Sequence, residues 1–203
     1  MRSSAGRTLL FTVAVSASAL AGCARESPEV REVRKTTNDY VRAIRRQDQK
    51  EIADRSTCLF PGQYLAGARI LSIEAPRRVR AGAVDSLARS EALAQRTADS
   101  IWARASDVTA DSLFRLARGI SFRASVYRCA ARAIQLSSPQ SIVSSDSTLE
   151  SRAVRAQFRY SGEPVGPRPV SRETIVRLLR APGGRWIVFS VYTKEDDPGP
   201  ALL

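Results

Sequence analysis

Val30, Val33, Thr37, Tyr40, Val41 and Ile44 recur at three- and four-residue spacing, while Arg31, Arg34, Arg42 and Arg45 occupy the other face. That period predicts an amphipathic helix over about 29–46. Asp48 followed by Glu51 is a capping-box pattern, so a second short helix is expected through Ile52 toward Cys58. Residues 59–82 carry Pro61, Gly62, Gly67, Pro76 and Gly82 and read as a connecting segment with a short apolar element at 68–73. A stripe of Val84, Leu87, Ala94, Ala98, Ile101 and Trp102 predicts a helix over 83–105. Thr109 can cap a further helix holding Leu113, Leu116 and Ile120, weakened by Gly119, which makes a helical hairpin.

The segment 122–136 fits both periods. Phe122, Val126, Cys129, Ala133 and Leu136 suit a helix, whereas Val126, Ala130, Ile134 and Leu136 suit a strand face. Beyond it, Val154, Ala156, Phe158 and Tyr160 alternate with Arg155, Gln157 and Arg159, the pattern of a strand with one wet face. Residues 174–180 make a second strand. Pro182-Gly183-Gly184 turns the chain into 186–193, and Pro198 and Pro200 mark 195–203 as a frayed tail.

The N-terminus follows a different pattern. Arg2 and Arg7 precede an apolar run over 8–20, too short for the roughly 20 residues that span a bilayer and typical of an export signal. The run ends in Leu20-Ala21-Gly22-Cys23, which resembles the lipobox of bacterial lipoproteins. The resemblance implies cleavage after residue 22, diacylglycerol on the Cys23 thiol and acylation of the new amine. Residues 1–22 are then the signal, and 23–29 the lipidated anchor and a short tether. One globular domain follows over 30–194, with a flexible tail over 195–203. Ala24 after the cysteine leans, by resemblance to lipoprotein sorting signals, toward the periplasmic face of the outer membrane rather than the inner membrane. An ordinary secretory signal with a chance cysteine is the alternative.

Loss of the signal lowers the formal charge from +12 to +10, because Arg2 and Arg7 leave with it. Lys35, Lys50 and Lys194 are the chain's lysines, so the positive charge is nearly all arginine, without a dense block. A GC-rich genome accounts for such Arg and Ala richness. The functional alternative is attraction to anionic lipid, lipopolysaccharide, acidic glycan or an envelope protein. An exported chain without an aromatic-basic signature is not expected to bind nucleic acid.

Cys58 and Cys129 are the cysteines beyond the anchor, in a compartment where disulfides persist. A bridge between them is the natural pairing; two separate buried thiols are the alternative. No C-x-x-C pair supports redox chemistry. The chain has no histidine, which removes His general bases, Ser-His-Asp and Cys-His nucleophiles and most transition-metal sites. No phosphate-binding or hydrolase motif is present. No cofactor, metal site or catalytic residue is assigned. The acidic run Glu195, Asp196 and Asp197 reads as solvated tail.

The bent helix pair, the antiparallel strands and the run Leu178-Leu179-Arg180-Ala181-Pro182-Gly183-Gly184-Arg185-Trp186-Ile187-Val188 together resemble the nuclear transport factor 2-like, cystatin-like α+β cone. The resemblance covers about 29–58 and 124–194, with 83–120 as a helical insertion. It implies an α+β fold, in which bent helices and a helical hairpin pack on a curved antiparallel sheet. A helical bundle with a small C-terminal sheet is the rival. Two function classes follow: a non-enzymatic envelope lipoprotein binding a protein, lipid or glycan, which is favoured, and a small-molecule or isomerase-like cone. Asp39 and Tyr40 are the acid-base pair the second would offer. Adjacent helix residues point about 100° apart, so at most one could face a pocket. Tyr40 is expected in the core and Asp39 in solvent.

Overall fold

The computed structural model describes residues 26–58, 64–103, 110–139, 142–162 and 166–194. Their order is α1 (Pro28–Arg46), α2 (Gln49–Arg55), β1 (Leu65–Ile73), β2 (Arg77–Arg80), α3 (Ala81–Trp102), α4 (Ala110–Ser137), β3 (Thr148–Gly162), β4 (Gly166–Arg180) and β5 (Ile187–Thr193). The fold is α+β. One antiparallel sheet runs β1-β3-β4-β5, with β2 pairing the start of β3 beside β1.

Strand parity sorts the core. On one face of the sheet, Val154, Ala156, Phe158, Val176, Leu178 and Val188 pack with Val33, Tyr40, Val41 and Ile44 of α1. On the other, Leu149, Leu179, Ile187 and Phe189 pack with Ala81 and Val84 of α3 and with Val126, Tyr127, Ala130, Ala133 and Ile134 of α4. Helices therefore cover both faces, which the sequence pattern left unspecified. Each fully buried large side chain contributes about 1.5–3 kcal/mol.

α1 begins at Pro28, with the Ser27 hydroxyl accepting from Val30 N. It ends where Gln47 adopts φ 54° and its N–H returns to the helix, and Asp48 caps α2 by accepting from Glu51 N at 3.0 Å. The expected bend between two helices is thus built from a left-handed cap and a side-chain cap in successive residues.

Three expectations are corrected. The connecting segment 59–82 contains β1 and β2, although 59–63 lie outside the described residues. The hairpin's second helix does not stop near 120 but runs through the ambiguous 122–136 to Ser137, because Ala124, Val126, Ala130, Ala133 and Ile134 bury a helical stripe. Asp39 is not simply solvated: it pairs with Arg42 at 3.2 Å and Arg55 at 3.3 Å across the α1–α2 junction. The expected signal, the lipobox Leu20-Ala21-Gly22-Cys23 and the tail 195–203 lie outside the described residues.

Candidate functional site

The two ends of the sheet differ. Near the start of α1, Arg152 is buried, donating from Nη2 to Glu29 at 3.1 Å and from Nη1 to the Glu74 carbonyl at 3.4 Å. Arg180 reaches Glu32 at 3.2 Å and Glu150 at 2.5 Å, and its guanidinium lies 4.7 Å from the centre of the Trp186 ring. These contacts fix the first turns of α1 on the ends of β3 and β4. The start of α1, five residues after Cys23 in the sequence, marks this end of the sheet.

A cleft of about 590 Å³ opens at that end, lined by Arg78, Thr148, Glu150, Arg180 and the turn 181–184. The turn has strict backbone requirements. Gly183 adopts φ +66°, and Gly184 approaches Ser137 so closely that an added Cβ would stand 2.6 Å from the Ser137 carbonyl oxygen. Ser137 accepts from Ala181 N at 2.9 Å and donates to the Arg185 carbonyl at 2.6 Å, tying the end of α4 to the turn. The Gly183-Gly184 pair in the sequence is explained by these contacts.

At the opposite end, β1, β3 and β4 continue as a three-stranded ribbon beyond β5, whose pairing stops at Thr174, while β1 pairs with β3 as far as Tyr160. Phe158 and part of Tyr160 still meet α1 on one face. Exposed there are Arg69, Gln157, Arg159, Arg168 and Arg172. None of these four arginines has an ion-pair partner among the described residues, whereas Arg155 and Lys194 both engage Glu173. Those two cations hold the Glu173 carboxyl below the usual carboxylate range, Arg155 most strongly. At about 3.3 Å per residue, Tyr160 stands roughly 26 Å along β3 from Arg152.

A hollow of about 340 Å³ lies between the start of α3 and the end of α4, with Ile134, Ile142 and Val143 in its lining and Asp85 its one ionisable group. The phenol of Tyr40 lies in the α1 core, where burial raises its pKa far above the ordinary tyrosine value and Ser56 offsets part of the rise. Asp39 and Tyr40 are thus separated, one in ion pairs and one in the core.

Cys58 and Cys129 form a disulfide, Cα atoms 5.7 Å apart. Sequence reasoning identified the pair but missed the ribbon, because its arginines are scattered over β1, β3 and β4. Among the described residues, no helix is long and apolar enough to cross a membrane, and no group of three or more His, Cys, Asp or Glu could hold a metal ion. No protein-family model, curated protein or solved structure matches the chain.

Proposed function

We propose that this chain is a lipid-anchored envelope protein whose domain is a binding module, and that the ribbon of β1, β3 and β4 holds an acidic glycan. The single observation that carries this reading is that Arg69, Arg159, Arg168 and Arg172 are exposed and without ion-pair partners among the described residues, with Arg69 and Arg159 on one face of the ribbon and Arg172 on the other. Guanidinium groups present planar donor forks that suit carboxylate and sulfate groups. The ribbon lies at the end of the sheet away from the tether, which favours an envelope polymer over the bilayer that holds the anchor. The hollow beside α4, with Asp85 its one ionisable group, supports binding over acid-base catalysis. The bent helix pair and the terminal hairpin support kinship with the nuclear transport factor 2-like cone, the lipobox supports a lipid anchor, and Ala24 after it supports placement at the outer membrane.

The test is retention of the full-length lipidated protein, in neutral detergent, on immobilised heparin and polygalacturonate. An Arg159→Gln/Arg172→Gln variant should elute from both at clearly lower salt than the wild type. Unchanged elution rejects the ribbon as the site. Capture by anionic vesicles with no retention on either glycan would reject the glycan assignment and give the surface to lipid.

A further inference from the structure

We infer that the cleft near the start of α1 is a phospholipid head-group site, with Arg78 as the phosphate ligand. Arg78, Glu150 and Arg180 stand directly opposite one another on β2, β3 and β4, so their side chains share one face of the sheet in the order plus, minus, plus. Arg180 is matched by Glu150 and Glu32. Arg78 is exposed and has no ion-pair partner among the described residues, which leaves its guanidinium in the cleft open to a ligand.

Two further groups can donate beside it. Thr148 contributes a hydroxyl to the lining. The turn 181–184 is closed by Gly184 N donating to the Ala181 carbonyl at 3.0 Å, while the Gly183 N–H has no acceptor among the described residues. A positive guanidinium, a hydroxyl and an unused backbone N–H around a hollow of about 590 Å³ suit a phosphate diester. Position selects the source. Arg180, in the cleft wall, bonds Glu32 of α1, nine residues after Cys23, and Arg80 and Arg31 add exposed charge around the same end. The choice of a lipid phosphate over a free one rests on the tether at Cys23. Such a site would seat the domain on the leaflet that holds its anchor, leaving the ribbon free.

The test is calorimetric titration of the full-length lipidated protein, in neutral detergent, with dihexanoyl phosphatidylglycerol and separately with inorganic phosphate. Saturable lipid binding is expected, weakened about tenfold in Arg78→Gln, the size of one charge-assisted hydrogen bond, and weakened also in Thr148→Val. Arg159→Gln/Arg172→Gln should bind the lipid as wild type does, and so should Cys23→Ser, so failure of the ribbon or of lipidation is distinguishable from failure of the cleft. Inorganic phosphate binding as tightly as the lipid would overturn the head-group assignment. Absent lipid binding, or Arg78→Gln binding undiminished, would overturn the site itself.

Discussion

Cys58 and Cys129 join the two helical layers around the edge of the sheet. Cys58 follows α2, on the α1 side, and Cys129 lies on α4, on the other. Between them the chain passes β5, where Ser56 bridges Val188, Thr57 N donates to the Val188 carbonyl at 3.1 Å, and the Thr57 hydroxyl reaches the Cys129 carbonyl at 2.7 Å. The bond therefore fixes both layers and covers part of an edge strand that would otherwise offer unpaired backbone groups.

Opening this bond should cost stability through the 71-residue separation it closes. The chain-entropy account gives about 4 kcal/mol for a loop of that size. Denaturant titration of Cys58→Ser/Cys129→Ser against wild type checks it, and a midpoint unchanged by the double substitution would contradict the clasp.

The glycines of the terminal turn should differ in sensitivity. Gly184→Ala drives a methyl group onto both the carbonyl oxygen and the hydroxyl of Ser137, the hydroxyl being held by its bonds to Ala181 N and the Arg185 carbonyl, and should cost about 1–3 kcal/mol. Gly183→Ala meets nothing within 4 Å and carries only the left-handed backbone penalty, about 1 kcal/mol. Thermal melts of the two variants give the order.

Acid should weaken the contact between α2 and the turn. Arg185 donates from both terminal nitrogens to Asp54, at 2.8 and 3.0 Å, and this hydrogen bonding holds the Asp54 carboxyl below its ordinary value. Because the folded-state value lies below the unfolded one, the contribution is complete at neutral pH and is lost as pH falls through the lowered value. Both side chains are about half exposed, so screening limits the pair to under about 1 kcal/mol. Asp54→Asn should be slightly less stable than wild type at pH 7, with the difference vanishing near pH 2.

Elements with one strong period were legible in the sequence. Val33, Tyr40 and Ile44 mark α1, and the alternation Val154, Ala156, Phe158 marks β3 because α1 covers one side and water wets Gln157 and Arg159 on the other. β1 was legible only as the short apolar element at 68–73, and β2 not at all. They lie on the outer side of the sheet, with Arg69, Leu71, Arg77 and Arg78 exposed and Gly67 inside a register shift, so no alternation develops. The tip of β4 reads as loop because Pro169 and Ser171 sit in a ribbon with little to bury. Arg152 and Arg177 read as surface arginines, yet each is only 5% exposed. Arg152 is held by Glu29, 123 residues away, and the Arg177 guanidinium lies over the Tyr192 ring; no local pattern announces either contact.

The proposed lipid anchor at Cys23 would set which end of the molecule faces lipid. The direct measurement is intact mass with membrane fractionation of the full-length protein and its Cys23→Ser variant, expressed in a bacterial host. The expected product is a mature chain beginning at Cys23, heavier by a diacylglycerol group and retained on membranes, with both the added mass and the retention lost in the variant. An unmodified, soluble wild type would contradict the proposed anchor.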